Sequence, residues 1–170
     1  MKKTLFTLML MLASVVVANA QSLTGKDWCT MIPDEDGTQI ALQMTLEKND
    51  ISKVKVIAVQ DMSESGMKMS FAMELDVPGS YMLDGKNLKI NLDKEKSKVD
   101  VGIDIEGVDA KTKAMMESMM KPEIEKGKDE LKKELLKVVP NMENMKIVSL
   151  DNNRLVLADS TGAEMEFYAK

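Results

Sequence analysis

Between residues 27 and 106, polar and apolar side chains trade places every second residue. Ile40, Leu42, Met44 and Leu46 share one side of their segment, and Gln39, Gln43 and Glu47 share the other. Met67, Met69, Phe71, Met73, Leu75 and Val77 repeat the pattern against Lys68, Ser70, Glu74 and Asp76. Val99, Val101, Ile103 and Ile105 do so again, facing Lys98, Asp100, Asp104 and Glu106. A period of two puts alternate side chains on opposite faces of an extended chain, so each segment reads as an antiparallel strand with one dry and one wet face. Turn-forming residues separate the runs: Pro33 to Gly37, Asn49-Asp50, Ser63 to Gly66, Pro78-Gly79 and Asp84-Gly85. The last pair lies inside a hairpin signal running from Tyr81 to Ile90.

At about Val108 the period lengthens. Met115, Met116, Met119 and Met120 recur at helical spacing, and Ile124, Leu131, Leu135 and Val138 form one stripe. Pro122 is expected to open a second helix within this block and Pro140 to close it, since proline lacks the N–H an interior position needs. Strands are expected again over residues 145–150, 154–158 and 163–168, separated by Asp151-Asn152-Asn153 and Ser160-Thr161-Gly162. The total is about ten short strands around one helical block at residues 109–139. Regular short strands joined by tight turns suggest a closed barrel or a sandwich. The block has two uses, a lid over an open barrel end or a buttress on an outer sheet face. The buttress is favoured, because Ile57 and Val59 fall on the wet side of their strand. Val148, Leu150 and Val156 likewise make their strands apolar on both faces, and such strands need cover. Six lysines against five acids over residues 121–139, without aromatic anchors, argue against a helix lying on a membrane surface.

Lys2 and Lys3 precede an apolar run over residues 5–17 and then Ala18-Asn19-Ala20, the order of a cleavable secretory signal with its cut between Ala20 and Gln21. The run is shorter than the ~20 residues a spanning helix requires. An exported chain, periplasmic or secreted and without a membrane anchor, is therefore expected. Residues 21–170 are expected to form one domain. Removing Lys2 and Lys3 leaves 21 basic against 28 acidic residues, net −7, which disfavours nucleic acid and anionic surfaces as partners. Histidine is absent, which removes the commonest general base and the commonest metal ligand together. Cys29 is the only cysteine and cannot form an internal disulfide. As the neighbour of Trp28 it faces the opposite side of its strand, either covered by the helical block or exposed as a lone thiol able to cross-link two chains, burial being the commoner fate of a free cysteine.

With these segments in place, the chain resembles the secreted bacterial lipocalin-like proteins. The likeness is carried by Leu23-Thr24-Gly25-Lys26-Asp27-Trp28, by Pro78-Gly79-Ser80-Tyr81 leading into a hairpin, and by the run from Ile147 to Leu157. It spans residues 22–106 and 141–169 and leaves the helical block as an insertion. The resemblance implies a mainly β fold, an up-and-down antiparallel barrel of about 8–10 strands. It also implies that Trp28 plugs the closed end, with Arg154 as a cation–π partner, and that a small apolar ligand is held inside.

Phe71, Met73, Val101, Ile103 and Phe167 are the expected ligand contacts, as inward apolar residues of those strands. Non-catalytic binding of a small apolar molecule is the leading expectation. A cell-envelope module for a protein partner, its barrel fully packed and without a ligand, is the alternative. No enzyme, cofactor or metal is expected. The methionine clusters could offer soft sulfur to Cu(I), but no His or Cys pair completes such a site, and adaptable core filling explains them. Asp34-Glu35-Asp36 lacks the further ligands of a calcium loop. No carboxylate pair stands in surroundings that would raise one pKa, and the aromatics are too few for a sugar platform.

Overall fold

The computed structural model describes residues 23–32, 38–64 and 67–170. The expected export signal with its Ala20/Gln21 junction, the Asp34-Glu35-Asp36 turn and Ser65-Gly66 lie outside them. Among the described residues there are nine strands and one helix: β1 (Asp27–Ile32), β2 (Gln39–Leu46), β3 (Ile51–Glu64), β4 (Met67–Asp84), β5 (Asn87–Leu92), β6 (Lys98–Glu106), α1 (Ala110–Val138), β7 (Met145–Leu150), β8 (Arg154–Ala158) and β9 (Glu164–Ala169). All pairings are antiparallel. Eight strands close into a barrel in the order β1-β2-β3-β4-β5-β7-β8-β9, with β9 returning to β1. The fold is thus a mainly β, up-and-down barrel with one helix inserted before the last three strands: of the barrel and the sandwich that the strand rhythm leaves open it is the barrel, in the form the resemblance implies.

Local chemistry sets the corners. Asn49 and Asp50 both adopt positive φ, 72° and 62°, in the three-residue loop that joins β2 to β3, closed by the Glu47 N–H donating to the Ile51 carbonyl at 2.8 Å. Gly85, at φ 60°, turns β4 into β5. The eighteen-residue β4 outruns the barrel. One edge of β4 pairs with β3 from Met67 to Ser80, while the other carries β5 opposite residues 79–84 and β6 opposite residues 68–76. Pro78 explains why β5 and β6 are two strands. The Asp93 N–H donates to the Pro78 carbonyl at 2.8 Å, so Pro78 turns its peptide edge, and its missing N–H, toward this side of the ladder. The interrupted stretch closes on itself, the Asp93 carboxylate taking both the N–H and the ammonium of Lys96. Past the last β2 pair, at Val59, the ends of β3, β4 and β6 run on as a short three-stranded extension.

Inward faces follow the two-residue rule across strands. Ile32, Ile40, Ala58, Met73 and Val101 form one row by register, and Trp28, Met44, Val54 and Val77 form another. In β7 the register slips between Ile147 and Ser149. Val148 is the extra residue of a β-bulge, which leaves it 44 % exposed and lets Leu150 turn inward onto the core. β7 is therefore not apolar on both faces in the way its sequence suggests, whereas β8 is: Val156 stays buried on the face opposite inward Leu155 and Leu157.

The helix departs from expectation twice. It is one helix of 29 residues with Pro122 inside it, not two helices. Asp109 caps its start, its carboxylate accepting from the N–H groups of Lys111 and Thr112 at 3.0 Å each. It is also not an outer buttress. It runs back along β6, with Lys113 bonded to Asp104 near one end and Lys132 to the Glu95 carbonyl further on. Its stripe faces the inward side: Leu135 and Val139 belong to the barrel core, and Leu131, Leu136 and Val138 pack against it. The helix is a lid. With Leu150 turned inward by the bulge, the outer face has less need of cover. Ile57 and Val59 stay half-buried there without the helix.

Candidate functional site

The lumen is full. Trp28, Phe167, Leu42, Met44, Leu46, Leu75, Leu88, Ile90, Leu155 and Leu157 each keep less than 2 % of their surface accessible. A side chain lining a void large enough for one water would expose area to it, so these residues fill the barrel with their own atoms. Phe167 is part of this packing and does not face a ligand space. Trp28 is buried toward one end, its indole N–H donating to the Leu23 carbonyl at 2.9 Å. The expected cation over its ring is not Arg154. Alternation puts Arg154 on the outside, next to inward Leu155, where it is bonded to Glu166, whose carboxylate also accepts from the Tyr168 hydroxyl. Lys26 takes the place instead, its ammonium 5.5 Å from the Trp28 ring centroid and 2.6 Å from the Asn152 carbonyl.

The other four expected contacts come together where β4 pairs with β6. Phe71 stands opposite Ile103 and Met73 opposite Val101, all half-buried, and Met73 packs against the barrel core. Val101 and Ile103 floor a groove of about 410 Å³ beside the helix, whose far wall is Glu117, Lys121, Ile124, Glu125 and Lys128. Its rim is charged, and Lys128 is paired with Glu125.

A more apolar cleft lies at the far end of the lid. β1 and β9 pair only at Trp28/Ala169 and Cys29/Tyr168. Beyond these pairs the two strands part, and the barrel wall opens as a seam of about 400 Å³. Met31, Ile32, Met165, Val138 and Pro140 wall it, Leu42 stands behind them, and Thr30, Glu164 and Glu166 complete it. The helix ends here: its C-cap, Val139, is extended and Pro140 follows. Sequence reading missed this site because no local pattern marks it. Its walls meet only when strands from opposite ends of the fold part beside a helix terminus. The one available signal was Val138-Val139-Pro140, an apolar helix end with nothing yet assigned to cover it.

Cys29 sits on the outer face between Gln43 and Tyr168, half-buried and away from the helix, contrary to the cover expected for it. Burial pushes its thiol up; Lys170 opposes this and Asp27 adds to it. Met115 and Met119 are exposed on one side of the helix, while Met116 and Met120 lie on its half-buried side, so the four thioethers do not converge. Among the described residues no group of three or more acidic or thiol side chains is placed to hold a metal ion. Among the described residues no helix is long and apolar enough to cross a membrane. Neither protein-family models nor curated proteins match the chain.

Proposed function

We propose that this chain is an exported, non-catalytic binding protein that holds a small apolar molecule in the seam between β1 and β9, beneath the end of α1, rather than in the barrel lumen. One observation carries the reading: the wall parts where apolar side chains from β1, β2, β9 and the helix end converge on about 400 Å³. That volume and mixture, mostly apolar walls with a few polar groups at the rim, suit a small-molecule site. Methionine supports it, since Met31 and Met165 give the walls deformable thioethers that adapt to loosely shaped ligands. The filled lumen favours a second reading, a solid scaffold that presents its surface to a protein partner.

Titration with the apolar dye N-phenyl-1-naphthylamine separates the two. The proposal expects a saturable fluorescence gain that is lost in Met165→Glu and retained in Phe71→Ala. No saturable gain, together with a ligand-free native mass for protein recovered from its own host, would leave only the scaffold reading. Loss in Phe71→Ala alone would move the site to the groove along β6.

A further inference from the structure

We infer that the seam is built for an amphiphile with a cationic head, its tail among Ile32, Val138 and Met165 and its ammonium at Glu164 beside the carbonyl end of the helix. The inference rests on the seam being an apolar-ligand site and adds the charge of the ligand.

Two independent features make the rim electron-rich. The first is the side chains. No lysine or arginine lines the seam, and its two charged residues are Glu164 and Glu166. Glu166 is occupied by Arg154 and Tyr168. Glu164 is exposed at the start of β9 and, among the described residues, has no ion-pair partner. The second is the backbone. A helix ends in carbonyls without intrahelical donors and carries about half a negative charge there. Glycine caps commonly return N–H groups to those carbonyls. Here the extended Val139 and the N–H-less Pro140 follow the last turn, and among the described residues no later backbone N–H closes on it. Lys137 is the one basic residue of that turn, and its ammonium is bonded to both Glu134 oxygens at 2.7 and 2.8 Å. A carboxylate or sulfate head would meet two acids and a carbonyl end. An ammonium would meet a free carboxylate and acceptors for its N–H donors.

The test compares decylamine, decanol and decyl sulfate, one tail with three heads, as competitors for N-phenyl-1-naphthylamine at low ionic strength and below their aggregation thresholds. Decylamine should compete about tenfold better than decanol, the order of one charge-assisted bond at a partly exposed rim. Decyl sulfate should compete least. Glu164→Gln should bring decylamine down to the level of decanol, and Glu164→Lys should turn the preference toward decyl sulfate. Both variants sit at an exposed strand start, so unaltered circular dichroism is expected. Equal competition by all three heads overturns the inference and leaves the apolar site standing. An amine preference that survives in Glu164→Gln overturns the assignment of the head group. A wild-type protein that takes up neither the dye nor any of the three overturns the site itself.

Discussion

Phe167 keeps none of its surface accessible and sits opposite Leu155 in the filled barrel. Phe167→Ala should cost about 3–5 kcal/mol, because the close-packed surroundings cannot collapse into the space it leaves. Equilibrium urea unfolding checks this through a lower midpoint. Ser52 is the opposite case. Its hydroxyl is fully buried and, among the described groups, has no hydrogen-bond partner. Gly79, across from it, has no room for a β-carbon, which would overlap the Asn91 carbonyl oxygen and crowd the Ser52 Oγ. Ser52→Ala removes an unsatisfied group and is expected to be neutral or stabilising by up to about 1 kcal/mol, whereas Gly79→Ala should lose about 1–3 kcal/mol. At this scale the two-residue rhythm was a sound guide to Ile40, Leu42, Met44 and Leu46, and it also carried the information that Arg154 lies outside. Adjacent residues of a strand take opposite faces, so an inward Leu155 excludes an inward Arg154. Lys26 over Trp28 was not legible, since it depends on how the chain enters β1.

The helix carries two residues that oppose it. Pro122 lacks an N–H and Gly127 has open space where a β-carbon would go, yet the helix runs unbroken. Docking of Leu131, Leu135 and Val138 on the core supplies what intrinsic propensity does not, because tertiary burial outweighs a weak helix former. Gly127→Ala should therefore raise stability by about 0.5–1 kcal/mol, read as a higher melting midpoint. The Pro140 boundary was visible in the sequence, but the continuity across Pro122 was not. The tight turns predict an acid response. Asp151 accepts from the N–H groups of Asn153 and Arg154, and Asp159 accepts from the hydroxyl and N–H of Thr161 and from the Ala163 N–H. These bonds hold both carboxyls below their usual range. A depressed folded pKa stabilises the fold fully above the unfolded value, near 3.9, and that contribution fades as pH falls through the lower folded value. Melting temperature should drop below about pH 4, and the drop should be shallower in the double variant Asp151→Asn, Asp159→Asn, whose amide oxygens accept without titrating.

Across the whole molecule, barrel topology follows from short alternating segments joined by tight turns, and those were plain in the sequence. The position of the lid was not. Counting Val148 into the alternation made the outer face look in need of cover, and a one-residue bulge removes much of that need. The seam was hidden for a different reason: it depends on where β1 and β9 stop pairing, which neither strand's own composition states. The extension on β4 was equally unannounced, although Pro78 marks the point at which its partner strand divides.

The ring is shut by Trp28 against Ala169 and Cys29 against Tyr168, a pairing between the first and last strands of the barrel. Until β9 has been delivered, the sheet is a curled ribbon with β1 and β8 as raw edges, so closure belongs to the last stage of folding and to the slow, high-contact-order regime. A polypeptide that emerges from its amino end could not latch early. Because Trp28 is the only indole in the chain and sits on the latch itself, its emission should time the moment the clasp engages.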